Sequence, residues 1–154
     1  MQVLEAHGES LARVARSYAK GPTEHEDLIQ EVALGLWKAL PSFRGEATLK
    51  TFAYRIATNV AISHLRRRRI HEPVPEGADD APSPETALER AAERRRLRRA
   101  IEALPMSLRQ VVVLRLEDLT YAEISGVMGI TESNVSVRLT RARRQLREDL
   151  GAKP

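Results

Sequence analysis

Apolar side chains recur along the first half of the chain at the three- and four-residue spacing of amphipathic helices. The spacing predicts helices over residues 3–19, 23–40 and 48–69, the first of them interrupted near Gly8. Trp37 falls within the apolar stripe of the second helix, whose opposite face is polar, and the third helix ends in four consecutive arginines. This half is therefore expected to form a small helical domain with a strongly basic end.

The helical pattern stops after the third helix. Residues 71–84 contain four of the chain's eight prolines together with Gly77, and they have no hydrophobic periodicity. The same stretch contains four carboxylates and neither lysine nor arginine. We therefore predict two small helical domains, residues 1–71 and 84–154, joined by a flexible, proline-rich acidic linker over residues 72–83.

The second domain returns to helical spacing. A helix over residues 84–105 is expected to start with Ser83 as its N-cap and to hold Leu88, Ala92 and Leu97 among its inward positions. No segment reads as a β-strand, and aromatic residues make up only 4% of the chain, which leaves little material for a sheet core. The predicted fold class is all-α.

Helix starts carry a recurrent signature, a Ser or Thr followed three residues later by Glu or Gln. In such a capping box each side chain accepts a hydrogen bond from the backbone N–H of the other residue. The signature predicts helix starts at Thr23 with Glu26, Ser107 with Gln110, and Thr120 with Glu123.

A helix-turn-helix is predicted near the C-terminal end. A short helix from Tyr121 should stop at Gly129, where a left-handed residue is expected, and Thr131 should cap a longer helix. One side of the longer helix is apolar, through Val135, Leu139, Ala142 and Leu146. The other side has small polar residues first and arginines behind them, which suits a recognition helix whose N-terminal side chains approach bases while its cations meet phosphates. A plain basic surface helix is the alternative.

The charge of the chain agrees with a nucleic-acid partner. The net charge is +4 and the sequence pI is about 9.8, and the arginines cluster at residues 66–69, 94–99 and 138–147. Clusters on defined elements favour a polyanion as partner. Solvated helix faces are the alternative interpretation of each run taken singly.

The composition argues against an enzyme. The chain has no cysteine, and its four histidines lie on separate predicted elements without the spacing of metal ligands. No glycine-rich phosphate loop occurs. We expect no catalytic site, no metal and no cofactor. No stretch reads as a signal peptide or a membrane span, so we expect a cytoplasmic protein without membrane contact of its own.

Two stretches of the chain, in order, resemble the extracytoplasmic-function (ECF) sigma factors of bacterial RNA polymerase. Residues 129–144, together with Tyr121-Ala-Glu-Ile124, are similar to region 4 of that family. The similarity to region 2 lies in Glu26-Asp-Leu-Ile-Gln-Glu-Val32 with Trp37, in Phe43-Arg-Gly45, and in Tyr54-Arg-Ile-Ala-Thr-Asn59.

The resemblance implies three binding surfaces. Region 2 would dock on the clamp helices of the polymerase β′ subunit through Asp27, Gln30, Glu31 and Lys38. It would read and melt the minus-10 promoter element through Phe43, Arg44, Gly45, Glu46, Thr48, Tyr54, Asn59, Arg66, Arg67 and Arg68. Region 4 would bind the β flap, and it would bind the minus-35 element through Thr131, Glu132, Ser133, Asn134, Ser136, Val137, Arg138, Thr140, Arg141 and Arg144.

The expected function is promoter recognition and strand opening as a subunit of RNA polymerase, by binding energy and without catalysis. The implied partners are core polymerase, promoter DNA and an anti-sigma factor. Two other functions stay open from the residues alone. One is a stand-alone helix-turn-helix regulator, and the other is an interaction module that binds polymerase without touching DNA.

Overall fold

The computed structural model describes residues 2–71 and 85–151, and within those two ranges it contains seven α-helices and no strand. This confirms the predicted all-α class. The helices are α1 (Gln2–Tyr18), α2 (Gly21–Ala39), α3 (Leu49–His71), α4 (Glu85–Glu102), α5 (Met106–Leu116), α6 (Tyr121–Met128) and α7 (Glu132–Asp149), with a short 3-10 helix at Leu40–Ser42. The predicted linker, and Ser83 as a helix cap, lie outside the described residues. None of the described helices is long and apolar enough to cross a bilayer.

Helix α3 is the centre of the first half, with α1 and α2 packed along it. Its buried side includes Ala53, Ala57 and Ala61, whose small side chains let both neighbours approach closely. Helix α1 runs without a break through Gly8, so the predicted interruption there is wrong. A single helical glycine costs only about 1 kcal/mol relative to alanine, which the burial of side chains such as Leu11 readily outweighs.

The helix-turn-helix forms as predicted. Thr120 Oγ1 accepts a hydrogen bond from Glu123 N at 3.1 Å, and the Glu123 carboxylate accepts one from Thr120 N at 3.0 Å. Gly129 ends α6 at φ 67°, and Thr131 Oγ1 accepts from Asn134 N at 3.1 Å to start α7. The capping box, the left-handed glycine and the second cap are all confirmed.

The other two predicted capping boxes are wrong. Helix α2 begins two residues before Thr23, with Pro22 in its first turn, and it has no side-chain cap. Helix α5 begins one residue before Ser107, directly after Pro105, and it also lacks a side-chain cap. In both places a proline, whose fixed φ suits a helix start and which needs no N–H partner, sets the start upstream of the Ser or Thr.

The second half packs α5, α6 and α7 around one core, with α4 lying against α5 and α7. Helix α4 is less buried than the spacing predicts. Leu88, Ala92 and Leu97 are exposed, and only the C-terminal end of the helix is covered, at Ala100 and partly at Ile101. The inward placement of the three earlier residues is therefore wrong, because the neighbouring helices reach only one end of α4.

The two halves of the chain are packed against each other. Helix α3 lies on α6, and α1 touches α5, so that the buried side chains of both halves form one continuous cluster. Helix α6 is the first helix of the helix-turn-helix, so α3 and the recognition helix α7 flank the same short element.

Candidate nucleic-acid interface

The outer side of α7 gathers the residues that the sequence predicts for the minus-35 element. All ten lie on α7 or at its cap, and all are exposed except Arg138, which is half-buried. Buried Val135, Leu139 and Ala142 hold the opposite side against the core. A helix anchored along one side and polar along the other has the form that enters a major groove.

The cations of this surface are available for phosphate. Arg138, Arg141 and Arg144 form no ion pair with any residue in the described ranges. Arg143 and Arg147 are also exposed on α7, and the predicted contact set omits them. The run of arginines in the sequence was the signal for both.

The outer side of α2 presents the predicted polymerase-binding residues. Asp27, Gln30 and Lys38 are exposed, while Glu31 is half-buried. Asp27, Gln30 and Glu31 line a surface cavity of about 320 Å³ together with Leu34 and His64. The cavity combines carboxylates with an apolar wall, which is the chemistry that receives a basic or amphipathic side chain of a partner.

Two large apolar side chains extend this surface. Leu34 is 52% exposed and Trp37 is 68% exposed. The inward placement of Trp37 predicted from the apolar stripe is therefore wrong, and Leu34 was missed. Gln30, Leu34 and Trp37 follow one another at helical spacing, so an apolar pair in line with a polar position was the available signal.

An ionic cluster joins α2 to the basic end of α3. His64 Nε2 lies 2.9 Å from Glu24 and its Nδ1 lies 3.6 Å from Glu31, while Arg67 donates to Glu31 at 2.8 Å and Arg68 to Glu24. Two of the four arginines predicted for the minus-10 element, Arg67 and Arg68, are thus paired with carboxylates of α2. Arg66 is exposed and forms no ion pair among the described residues.

The carboxylate at the centre of that cluster is held in its charged form. Burial disfavours the ionised Glu24, but hydrogen bonds from the Lys20 backbone N–H and from His64, with the charge of Arg68, outweigh burial and lower its pKa. The cluster therefore fixes the start of α2 onto α3. It also engages Glu31 of the outer side, while Asp27 and Gln30 stay exposed there.

The turn before α3 exposes a compact polar set. Arg44, Gly45 and Glu46 are exposed, and Gly45 has φ 76°, a conformation that favours glycine. Thr48 is also exposed, and its Oγ1 accepts a hydrogen bond from Thr51 N at 3.1 Å, so it caps α3.

The aromatic side chains near this turn are only partly exposed, which limits their use for stacking on a base. Phe43 and Phe52 are half-buried and pack on each other with ring centroids 5.0 Å apart. Asn59 is exposed, but Tyr54 is 1% exposed, and its hydroxyl donates a hydrogen bond to Ser10. Burial raises the pKa of Tyr54. The structure therefore brings the turn residues together at the surface and places Tyr54 in the core.

Two family models match the chain in order. The model for sigma-70 region 2 matches residues 3–70, and the model for sigma-70 region 4 matches residues 94–146. The RNA polymerase sigma-H factor of Pseudomonas aeruginosa is 32% identical, over 92% of this chain and 80% of that one. The chain belongs to the RNA polymerase sigma factors of the ECF type.

Other relatives and solved structures agree with this assignment. The ECF sigma factor SigM of Mycobacterium tuberculosis is 28% identical to this sigma factor, over 97% of this chain and 76% of the relative. CnrH, solved in complex with the cytosolic domain of CnrY, matches 99% of this chain and 88% of its own, with 27% identity and a TM-score of 0.73. The sigma factor RpoE of Bartonella quintana, solved with the anti-sigma factor NepR, has the same fold, with 22% identity and a TM-score of 0.77 over 99% of this chain and 97% of its own.

Proposed function

We propose that this sigma factor carries core RNA polymerase to promoters by binding the minus-35 element with α7 and the minus-10 element with residues 43–48 and the helix that follows. Residues 1–71 would act as region 2 and residues 84–154 as region 4, with residues 72–83 as the linker. The exposed outer side of α7, whose arginines have no acidic partner among the described residues, is the observation that carries the proposal.

The chemistry of this function is binding, and we propose that the protein is not an enzyme. Extracting a base from the duplex costs a few kcal/mol, which stacking and phosphate contacts must offset. Phe43 at the turn can supply a stacking ring, and Arg66 can meet the backbone. Such a subunit would work in the cytoplasm, where promoter DNA and polymerase are found.

Core polymerase is the proposed partner of the α2 surface. The cavity beside Asp27 and Glu31, with exposed Leu34 and Trp37 next to it, suits the clamp helices of the β′ subunit. The second domain would contact the β flap. An anti-sigma factor is a further proposed partner, supported by the two solved relatives that were determined with CnrY and with an anti-sigma factor.

Run-off transcription with purified core polymerase tests the proposal. The chain should produce transcripts from promoters selected from a genomic library, and core polymerase alone should not. Changing Arg141 and Arg144 together to Ala should reduce transcription from minus-35-dependent promoters by about 10-fold or more, since removing each arginine from the DNA interface costs on the order of 1 kcal/mol.

Arg16→Ala is the matched control, because Arg16 is exposed on α1 and forms no ion pair among the described residues. It should leave transcription unchanged. A chain that binds promoter-sized duplexes as a dimer but never confers initiation would instead be a stand-alone regulator. A chain that binds polymerase and tolerates both arginine changes would be an interaction module.

A further inference from the structure

An apolar side chain occupies the outermost position of α7. Val137 is 43% exposed. The stripe that anchors α7 to the core consists of Val135, Leu139, Ala142 and the partly buried Leu146. At about 100° per residue, Val137 lies about 170° around the helix from the mean direction of this stripe. A recognition helix that enters a groove with its outer side first therefore brings this position closest to the base edges.

The neighbours of Val137 along the outer side of α7 are polar. Ser133 lies one turn before it and Arg141 one turn after it, and both are exposed. Isolated apolar residues are common on protein surfaces, but this one sits at the point of closest approach, between groups that suit bases and phosphates. Helix stability does not account for it, because the β-branched valine forms helices less readily than alanine. The position therefore points to an apolar ligand.

Thr140 adds a second apolar group beside Val137. It is exposed three residues further along α7, and its Oγ1 donates a hydrogen bond to the Ser136 carbonyl at 3.0 Å. The donor of this hydroxyl is thus used within the helix, which leaves the methyl group as the apolar part that can contact a ligand. Residues three apart on a helix have Cβ atoms about 5–6 Å from each other. Val137 and the Thr140 methyl group therefore form one small apolar spot.

The major groove of DNA offers one ligand of matching chemistry. Among the four bases, thymine alone displays a methyl group there, at C5, while the other distinguishing groups are hydrogen-bond donors and acceptors. A valine placed over such a donor or acceptor would remove it from water without replacing its hydrogen bond, which is unfavourable. An apolar spot at the tip of the reading surface therefore favours thymine over the other bases.

We propose that Val137, together with the methyl group of Thr140, determines specificity for a thymine in the minus-35 element by contacting its C5-methyl group. This rests on the proposed function, because it takes α7 as the helix that enters the major groove at the promoter. It adds the identity of one base and the way in which that base is recognised. The minus-35 elements that this chain binds share an A·T pair whose thymine, on one strand or the other, faces Val137.

Removing single methyl groups from the DNA tests the proposal. Duplexes are first selected from a genomic library by binding to the chain assembled on core polymerase. Each thymine of the shared upstream element is then replaced, one at a time, by deoxyuridine, which lacks only the methyl group. Burial of one methyl group corresponds to about a 4-fold change in affinity, so at least one of these duplexes should bind about 4-fold more weakly. At the same position 5-bromodeoxyuridine, whose bromine is similar in size to a methyl group, should restore binding.

Protein variants complete the test as a double-mutant cycle. Val137→Ala should bind the natural duplex about 4-fold or more weakly and should no longer distinguish thymine from deoxyuridine at the sensitive position. Alanine forms helices more readily than valine, so unfolding of α7 does not explain such a loss. Thr140→Ser keeps the hydroxyl that bonds to Ser136 and removes only the methyl group, and it should reduce the same discrimination. Leu4→Ala removes an apolar side chain of similar exposure, 37%, on α1, and as the control it should change neither affinity nor discrimination.

The outcomes separate this proposal from the proposed function. If no deoxyuridine weakens binding, if Val137→Ala discriminates as well as the wild type, or if the selected elements share no A·T pair, the thymine contact is refuted. Run-off transcription from the same duplexes would then still support the proposed function. If the discrimination depends on Val137 but the chain never confers initiation, the proposed function fails and the thymine contact stands. If the assembled chain binds no duplex selectively, both are refuted.

Discussion

Arg109 is a charged residue that the fold encloses. It is 6% exposed, its guanidinium lies 4.8 Å above the ring of Tyr18, and Nη2 donates to the Ser17 carbonyl at 2.7 Å. Arg109→Met keeps much of the apolar volume but leaves that carbonyl without its donor and removes the contact with the ring. We expect the free energy of unfolding to fall by about 2–3 kcal/mol, as measured by urea titration.

Arg16→Met is the comparison for this variant. Arg16 is exposed on α1, next to the Ser17 that Arg109 contacts. Its replacement should therefore change the free energy of unfolding by less than about 0.5 kcal/mol. If both variants lost the same free energy of unfolding, the buried contacts of Arg109 would contribute nothing to stability.

Single residues mark the limit of prediction from the sequence. Spacing places Trp37 in an apolar stripe and gives no reason to bury Arg109, yet Trp37 is 68% exposed and Arg109 is enclosed. Helical periodicity gives the angle between side chains on one helix, but it does not say which side the neighbouring helix covers. Tyr54 is another example, because a family motif suggested a surface role for a side chain that this conformation buries.

At the scale of one helix, the capping box at the start of α6 can be tested by a single substitution. Thr120→Ala removes the side-chain oxygen that accepts a hydrogen bond of 3.1 Å from Glu123 N. One of the first four N–H groups of the helix, which have no partner within the helix, then loses its acceptor. We expect a loss of about 1 kcal/mol in the free energy of unfolding. Thermal and urea unfolding followed by circular dichroism would measure it.

Thr23→Ala is the matched change at a position with the same sequence signature. Thr23 lies inside α2 and caps nothing, so its replacement should be neutral within about 0.5 kcal/mol, or slightly stabilising because alanine favours helices. A loss at Thr23 as large as that at Thr120 would mean that α2 starts at the Thr in solution.

The sequence predicted the existence of the helices better than their ends and their burial. Residues 48–69 were recognised almost to the boundaries of α3, because a long periodic segment has many positions that agree. The start of α2 was predicted at Thr23 and was wrong, because the helix begins at Gly21 with Pro22 in its first turn. The exposure of Leu88 and Leu97 was also missed, since it depends on how far α5 and α7 reach along α4.

At the scale of the whole molecule, the sequence identified the two regions, but it did not show how they pack against each other. The contact between them includes polar groups, such as Ser10, Arg13 and Glu117, that sequence patterns assign to the surface. Hydrophobic patterning carries no information about this polar part of the contact. Gly126, a glycine inside a short helix, was a sequence signal of a close approach, and the structure shows that Thr51 is the residue it faces.

The proposed DNA binding by the exposed arginines of α7 should depend strongly on salt. Counterion release should give a minus-35 duplex a log–log salt dependence whose slope changes by about 0.9 for each phosphate that the protein no longer neutralises. Arg141→Ala and Arg144→Ala should each make the slope shallower by about that amount, as measured by fluorescence anisotropy across a series of NaCl concentrations. Arg16→Ala should leave the slope unchanged, because α1 lies outside the recognition helix.

The same titration separates sequence recognition from non-specific attraction. Ser133→Ala and Asn134→Ala remove exposed polar groups at the N-terminal end of α7 without changing its charge. They should weaken binding to the preferred duplex by about 1–3 kcal/mol in total while keeping the wild-type slope, because base contacts release no counterions. Unchanged affinity in both variants, with an arginine effect intact, would mean that α7 holds the DNA backbone and that the base sequence is recognised elsewhere in the chain.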